Sequence, residues 1–274
     1  MIKRILLGLA GTPFSHAAIR QAVDVASQCQ GEVTAVTIVD IRRLAAIAAL
    51  HGGPQMFGRE AQRVAVSRSA LEEALRLFES SCRAAQVAYS IREEQGEPFT
   101  QLLRAVRFHD MVVFGLRSLF EYELRVEPRD ALVELVSSGV QPLLAMSQAY
   151  RPIERVLVAY NGSHESAKAM KRFVQSGLWP QAAVGLVTFE AEPSEGGQQL
   201  LDDAADYCQA HGRTPTQHLI RGVPETALLP FATGWQADMI VMGGSGRRAL
   251  LSRLMGETTL HAVQHADRPL FLSQ

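Results

Sequence analysis

The sequence predicts an α/β protein built from two tandem open-sheet domains. Apolar runs of strand length alternate with amphipathic helical stretches along the 274 residues, as in strand–helix units around a parallel sheet. Some runs, such as 239–242, are apolar without alternation, as expected for strands that helices cover on both faces. The same succession of segments also occurs twice, since 5–15 is similar to 156–166 and 109–115 to 237–243. We therefore expect each half to form a five-stranded parallel sheet with helices on both faces.

In the first half, short apolar runs predict five strands, near residues 3–9, 33–39, 87–92, 110–115 and 142–146. Apolar residues at helical spacing predict the helices between them, near 15–29, 61–85, 98–107 and 129–138.

In the second half, the same criteria predict strands near residues 155–160, 183–189, 216–220, 238–243 and 269–273. The corresponding helices are predicted near 164–176, 197–211, 224–234 and 257–265.

The register of the repeat locates an insertion in the first half. Gly11 corresponds to Gly162 with an offset of 151 residues, whereas Gly96 corresponds to Gly222 with an offset of 126. The offset then stays nearly constant to the end of the chain. The first half thus carries about two dozen extra residues, which we place at 41–60. This insertion is either a lid or partner-binding surface or a plain surface loop.

A short connecting segment separates the two halves. It lies near 147–154, so we predict domain boundaries at 1–147 and 153–274. Because the segment is short, we expect the halves to pack against each other.

The composition argues against a nucleic-acid or membrane partner. The 27 lysines and arginines nearly balance the 28 aspartates and glutamates, and the arginines are scattered. No apolar run approaches the roughly 20 residues of a membrane helix, and the first residues have the pattern of a strand rather than of a signal peptide. Cys29, Cys82 and Cys208 are widely spaced, which indicates free thiols in a reducing compartment. We expect a soluble, cytoplasmic protein.

The second half contains a glycine pattern that is typical of phosphate binding. Gly243 ends a predicted buried strand, Gly246 follows in a turn, and Gly256 stands where the next helix begins. Backbone N–H groups at such a junction can point at a polyanion, and glycine lets the anion approach without a Cβ in the way. Thr258 and Thr259 add hydroxyl groups in the first turn of that helix. The alternative is that the glycines only form a tight connection.

The spacing Gly243-x2-Gly246-x9-Gly256 resembles the nucleotide loop of the ATP-binding branch of the universal stress protein family. The opening strands of both halves, the strand at 238–243 and the final segment 268–272 are similar to that family as well. The resemblance covers essentially the whole chain as a tandem of two such domains. It implies the strand order 3-2-1-4-5 in each sheet, with ATP, alone or with Mg²⁺, across the carboxyl ends of the strands. Open α/β sheets also bind ligands at that switch point on general grounds.

The resemblance also implies which residues of the second half form the nucleotide site. The glycines would surround the ribose and the phosphates, Thr259 would donate its hydroxyl, and the loop after the first strand and the end of the second strand would meet the adenine. The predicted site consists of Ala159, Tyr160, Asn161, Phe189, Met242, Gly243, Ser245, Gly246, Gly256, Thr258 and Thr259.

Two positions of the second half depart from the family pattern. Asn161 stands where the family usually has Asp, and its side-chain amide keeps an acceptor oxygen. Glu257 stands where Ser or Thr is usual. A carboxylate there repels phosphates unless a cation separates the charges or the side chain points away.

The first half departs further from the pattern. Ala10 replaces the Asp, Ser118 replaces the second glycine, and Pro128 and Arg129 replace the last glycine and the hydroxyl residue after it. Proline has no N–H to offer a phosphate. We interpret this half as a structural partner that takes the place of the second subunit of a homodimer.

The leading hypothesis is a sensor or regulator in the stress response that binds ATP or a related adenine nucleotide in its second domain. Because neither half shows a P-loop lysine, a general base or a metal-ligand set, at most slow ATP hydrolysis or autophosphorylation at Ser245 or Thr259 is expected. One alternative is an adenylylating enzyme of the related adenine-nucleotide hydrolase group, against which the lysine-free loop argues. The other is a nucleotide-free scaffold that binds a protein partner through 41–60. A monomer and a homodimer of tandems both fit the sequence.

Overall fold

The structure, a computed structural model, describes residues 2–9, 11–39, 54–95, 98–116, 141–244 and 256–273. These residues form ten strands and seven helices. In chain order they are β1 (Arg4–Gly8), α1 (Ser15–Cys29), β2 (Glu32–Val39), α2 (Pro54–Ala84), β3 (Ala88–Gln95), α3 (Pro98–Val106), β4 (Met111–Gly115), β5 (Leu143–Met146), β6 (Arg155–Ala159), α4 (His164–Ser176), β7 (Ala183–Glu190), α5 (Glu195–Ala210), β8 (Thr216–Arg221), α6 (Pro224–Gly234), β9 (Met239–Gly243), α7 (Glu257–His265) and β10 (Leu270–Ser273).

The ten strands form one continuous sheet in the order β3-β2-β1-β4-β5-β10-β9-β6-β7-β8. Within each half the order is 3-2-1-4-5 and all neighbouring strands are parallel. The predicted fold class and strand order are therefore confirmed. The sequence did not indicate that the two five-stranded sheets join edge to edge.

The two sheets join where β5 and β10 run antiparallel. Leu143, Leu144 and Ala145 pair with Leu272, Phe271 and Leu270, respectively. All six side chains are buried. Outside the sheet, the backbone N–H of Trp179 in the second half donates to Oε1 of Gln28 on α1 at 2.9 Å. The expectation that the halves pack against each other is met by this apolar junction and by the hydrogen bond beside it.

The repeat extends to individual hydrogen bonds. Oδ2 of Asp110 accepts the backbone N–H groups of residues 3 and 4, at 2.7 and 2.9 Å. Oδ2 of Asp238 accepts those of residues 154 and 155, at 2.9 and 2.8 Å. In both halves, the aspartate before the fourth strand thus fixes the start of the first strand.

Helices cover both faces of the sheet. On β1, Ile5 and Leu7 belong to a buried cluster with α1, α2, α4 and α5. Leu6, between them, belongs to a second cluster with α3, α6 and α7. Because successive side chains of a strand point to opposite faces, a strand between two helix layers has to be apolar at every position. This explains the apolar runs without alternation.

The helices of the second half agree closely with the sequence prediction, since α4, α6 and α7 have the predicted bounds. In the first half, α2 begins at Pro54, well before the predicted start at 61, and its 31 residues compare with 16 in α5. Residues 54–60 of the predicted insertion therefore lie in α2, and its other residues lie outside the described part. The helix predicted at 129–138 also lies outside the described part. The domain boundaries at 1–147 and 153–274 stay predictions.

None of the helices in the described part of the chain is both long and apolar enough to cross a membrane.

Candidate functional site

A cavity of about 300 Å³ lies at the carboxyl ends of β6, β7 and β9. It stands at the point where the strand order of the second half reverses, because β6 lies between β7 and β9. Nine of the eleven predicted site residues line it: Ala159, Tyr160, Asn161, Phe189, Met242, Gly243, Gly256, Thr258 and Thr259. Ser245 and Gly246, and in the first half Ala10, Ser118, Pro128 and Arg129, lie outside the described residues.

The turn after β6 forms one wall of the cavity. Gly162 has φ of +74°, in the left-handed region that glycine adopts readily. Ser163 caps α4, because its Oγ accepts the backbone N–H of Ser166 at 3.2 Å. Oδ1 of Asn161 accepts the backbone N–H of Ser163 at 3.1 Å. The side-chain oxygen of Asn161 thus stabilises the turn, and its NH₂ group is free of that role and can donate a hydrogen bond to an acceptor on a ligand.

Gly243 has a packing role at the end of β9. A Cβ built at this position would lie 2.5 Å from the carbonyl carbon of Glu165 and 2.7 Å from the backbone nitrogen of Ser166. A side chain at Gly243 would therefore force the first turn of α4 to move. A tight strand–helix contact thus accounts for this glycine even without a ligand, and the same contact places the end of β9 at the cavity.

The two threonines of α7 direct their hydroxyl protons at protein acceptors. Oγ1 of Thr259 donates to the backbone carbonyl oxygen of Gly243 at 2.9 Å, and the residue is buried. Oγ1 of Thr258 donates to Oε1 of Glu225 at 2.8 Å. Each hydroxyl has one proton to donate. For either threonine to donate to a phosphate, or for Thr259 to accept a phosphoryl group, its present bond has to break.

Three helices begin at the cavity. Its lining includes the first turns of α4, α6 and α7, represented by Ser163, Pro224 and Gly256. The start of a helix carries a partial positive charge and N–H groups without intrahelical partners. Gly256 at the start of α7 offers no side-chain cap to these groups. This end of the cavity is therefore suited to an anion.

Three carboxylates counteract the partial positive charge of these helix starts. Glu165, Glu225 and Glu257 stand in the first turns of the same three helices and line the cavity. Glu257 is exposed and the other two are half-buried. None of the described lining residues is basic. The repulsion of phosphates that the sequence predicted for Glu257 thus also applies to Glu165 and Glu225. The sequence analysis did not identify these two residues, although acidic residues are common in the first turns of helices.

The other end of the cavity is apolar. Val187, Phe189, Leu228 and Met242 line it, and Phe189 packs edge-on against Phe231 with ring centroids 6.2 Å apart. Sequence reasoning named Phe189 and Met242 but not the other two. Val187 could have been found, because residues two apart on a strand share a face.

Tyr160 lines the cavity at the end of β6, but its ring packs against the buried cluster with α4 and α5 rather than at the apolar end. Its backbone carbonyl accepts the hydroxyl of Thr188 at 2.7 Å, and its N–H donates to the carbonyl of Val187 at 2.9 Å. Burial raises the pKa of the Tyr160 phenol, with a smaller contribution from the charge of Asp203. The phenol stays neutral at physiological pH and keeps a proton to donate.

Comparison with known proteins identifies similar chains. A family model for the universal stress protein family matches residues 1–134 and 152–273. Universal stress protein MJ0531 of Methanocaldococcus jannaschii is 23% identical over 137 residues, which cover 43% of this chain and 81% of that protein. A universal stress protein structure from Archaeoglobus fulgidus aligns over 99% of this chain and 96% of its own, with a TM-score of 0.68 at 16% identity, and so shares the fold. A universal stress protein solved in complex with cAMP aligns over 45% of this chain and 98% of its own, with a TM-score of 0.40 at 22% identity.

Proposed function

Because the chain belongs to the universal stress protein family and carries two of its domains in tandem, we propose that its second domain binds an adenine nucleotide. In this proposal the protein is a nucleotide-dependent sensor or regulator in the cytoplasm. The observation that carries the proposal is the two-ended cavity at the switch point of the second half. One end is apolar, and the other is formed by the start of α7 without a side-chain cap.

The two ends of the cavity match the two ends of a nucleotide. A flat, apolar base fits between Phe189, Leu228 and Met242. A phosphate fits the N–H groups at the start of α7, next to Gly256. The cavity volume of about 300 Å³ is at the small end of the usual range for ligand sites. An adenine nucleotide therefore fits with its base inside and its phosphates toward the opening.

The acidic lining favours a ligand whose phosphate charge is low or neutralised. Three carboxylates near one phosphate chain add repulsion that falls when a divalent cation binds the phosphates. We therefore propose ATP with Mg²⁺, or an adenine nucleotide with fewer phosphates. A regulatory role is favoured over rapid phosphoryl transfer, because the segment 243–256 contains no P-loop lysine.

The first experiment asks whether the purified protein carries or binds a nucleotide. The protein is denatured, the released small molecules are separated by chromatography, and the emptied, refolded chain is titrated with ATP, ADP and AMP, each with and without Mg²⁺. We expect adenine nucleotide in the released fraction or saturable binding. Glu165→Phe, which places a large side chain at the cavity, should abolish binding. Lys168→Phe, an exposed position on the same helix, should retain it. The proposal fails if no nucleotide is recovered and millimolar ATP with Mg²⁺ does not bind.

Replacing Glu257 by Ser tests the electrostatic part of the proposal. If the carboxylate opposes the phosphates, its removal should raise the affinity for ATP without Mg²⁺ by about two- to fivefold, the range of an exposed charge interaction. The increase should be smaller when Mg²⁺ is present. Glu195→Ser makes the same change in the first turn of α5, outside the cavity lining, and should leave the affinity unchanged. Equal affinities of Glu257→Ser and the unaltered protein would show that this carboxylate points away from the phosphates.

The acidic lining also favours a second candidate function, a nucleotide-free scaffold. In that case the cavity binds no nucleotide and the segment 41–60 binds a protein partner. Failure of the nucleotide experiments above, with the protein folded and its thermal stability unaffected by nucleotide, would favour this candidate.

A further inference from the structure

One hydrogen bond connects two of the helices that begin at the cavity. Oγ1 of Thr258, in the first turn of α7, donates to Oε1 of Glu225, in the first turn of α6, at 2.8 Å. Both residues are half-buried and both line the cavity. The bond engages one oxygen of the Glu225 carboxylate and restricts its rotation. The other oxygen, Oε2, has lone pairs to accept a further hydrogen bond.

We propose that Glu225 is a specificity-determining residue whose Oε2 accepts a hydrogen bond from a sugar hydroxyl of the bound ligand, with Thr258 as its positioning residue. The inference rests on the proposed function, and it assigns the ligand class as a ribonucleotide rather than a deoxyribonucleotide. A carboxylate is a natural partner for ribose hydroxyls, because they donate protons that its oxygens accept.

The position of Glu225 between the two ends of the cavity indicates a sugar rather than a base or a phosphate. Leu228 follows Glu225 by three residues on α6, so the two side chains share one face of the helix, and Leu228 belongs to the apolar end. Thr258, the partner of Glu225, belongs to the start of α7 at the polar end. The group that joins the base to the phosphates in a nucleotide is the ribose. It therefore lies where Glu225 and Thr258 meet.

Charge excludes the phosphate from this position. A phosphate oxygen next to the Glu225 carboxylate would bring two negative charges together in a partly desolvated site. A hydroxyl brings a donor and no charge. A site built to hydrogen-bond a hydroxyl discriminates strongly against an analogue that lacks it, because the protein acceptor is then left without its partner.

The test compares ribonucleotides and deoxyribonucleotides on matched variants of the full chain. Calorimetric titrations use AMP, 2′-deoxy-AMP, 3′-deoxy-AMP and IMP, and the corresponding triphosphates with Mg²⁺. The proteins are the unaltered chain, Glu225→Ala, Thr258→Val and Glu165→Ala. The last variant removes a carboxylate from the same cavity without touching the pair. Circular dichroism and the melting temperature show that each variant is folded.

We expect the unaltered protein to bind one of the two deoxy forms about tenfold or more weakly than the ribonucleotide, as for the loss of a hydrogen bond to a charged group. Glu225→Ala should bind the ribonucleotide and the deoxy form with equal affinity. Thr258→Val should show an intermediate ratio of these two affinities, and Glu165→Ala should keep the ratio of the unaltered protein.

If the Glu225 carboxylate instead contacts the base amine, Glu225→Ala makes the affinities for AMP and IMP equal but not those for the ribonucleotide and the deoxy forms, which overturns the inference. Equal ratios in all four proteins overturn it as well. If no adenine nucleotide binds the unaltered chain, the proposed function fails and takes this inference with it.

Discussion

The two halves of the chain use the carboxyl end of their parallel strands in different ways. In the second half, this end holds the cavity beside β6 and β9. In the first half, it holds a buried apolar group that consists of Phe14, Val36, Leu102, Phe114 and Leu116. Phe14 occupies the repeat position of Glu165, and Leu116 that of Gly244. A glutamate that lines the cavity and a glycine directly after β9 are thus replaced by large apolar residues.

This contrast shows how one scaffold accommodates either a cavity or a packed core at the same place in the repeat. Each large apolar side chain buried in the first half contributes about 1.5–3 kcal/mol to its stability. Val36, Leu102 and Phe114 have buried apolar counterparts in the second half, namely Val187, Leu228 and Met242. The second half lacks the apolar contribution at Glu165 and Gly244, and the cavity lies at Glu165. The difference agrees with the interpretation of the first half as a structural partner, joined to the second through the buried β5–β10 pair.

The largest expected effect comes from truncating the two equivalent residues, Phe14 and Glu165. Phe14→Ala should lower the free energy of unfolding by about 3–5 kcal/mol, because it leaves a cavity in a packed core; Phe14 is only 3% exposed. Glu165→Ala should change it by about 1 kcal/mol or less, because the lost interaction is that of a carboxylate with the start of a helix. Urea denaturation of both variants measures the two values.

If Phe14→Ala and Glu165→Ala cost the same, the apolar group of the first half is not the core that the structure indicates, and the contrast between the halves disappears. Phe14→Leu serves as the conservative control. It should lose much less stability than Phe14→Ala, because it retains most of the buried volume.

A smaller effect is expected from adding one methyl group to each half. Gly243→Ala should lower the free energy of unfolding by about 1–3 kcal/mol, because its Cβ meets backbone atoms of α4 that cannot rotate away. It should also weaken nucleotide binding, since the cavity wall at Glu165 and Ser166 has to shift. Thermal denaturation and nucleotide titration measure the two effects.

Gly8→Ala is the matched control for Gly243→Ala. A Cβ at Gly8 would make an ordinary contact of 3.5 Å with the Cβ of Phe114, and the equivalent position of the second half already carries Ala159. Its effect on the free energy of unfolding should stay within about 0.5 kcal/mol. A stable, nucleotide-binding Gly243→Ala protein would show that the contact between β9 and α4 is not needed for the site.

The sequence predicted the fold well, because the decisive signals are local or repeated. Apolar runs marked every described strand, and the similarity of 5–15 to 156–166 and of 109–115 to 237–243 revealed the tandem. The joining of the sheets through β5 and β10 could not be predicted in this way. Strands at 142–146 and 269–273 are equally apolar whether their outer edge meets another strand or a helix.

The candidate site was predicted less completely, because residues distant in sequence form it. The glycine spacing indicated Gly243 and Gly256, and the family resemblance implied Phe189. The bond between Thr258 and Glu225 joins two helices and depends on how they pack, so no spacing pattern in the sequence contains it. The packing role of Gly243 was likewise invisible, since it depends on how closely α4 approaches the end of β9.

The smallest expected effect is a change in the pH dependence of stability, which arises at His109 of the first half. Its Nδ1 donates to the backbone carbonyl of Ala105 at 2.7 Å, and its buried Nε2 has no hydrogen-bond partner among the described residues. Burial lowers the pKa of His109, and the nearby charges of Arg4 and Arg92 lower it further. Protonation would place a second N–H where none of the described residues supplies an acceptor. At the equivalent position of the second half stands Ala237, which does not titrate.

The folded chain therefore takes up a proton at His109 less readily than the unfolded chain, whose histidine titrates near pH 6.5. The stability associated with neutral His109 is fully present above about pH 6.5 and is lost as the pH falls toward the lower pKa of the folded state. His109→Ala should be less stable at pH 7.5, because it leaves a cavity, but its stability should decline less between about pH 7 and pH 5. Part of the decline should persist, because burial also lowers the pKa of His218. Urea denaturation midpoints at several pH values measure how the stability of each protein changes with pH. Parallel curves of stability against pH for His109→Ala and the unaltered protein would mean that His109 does not contribute to the loss of stability in acid.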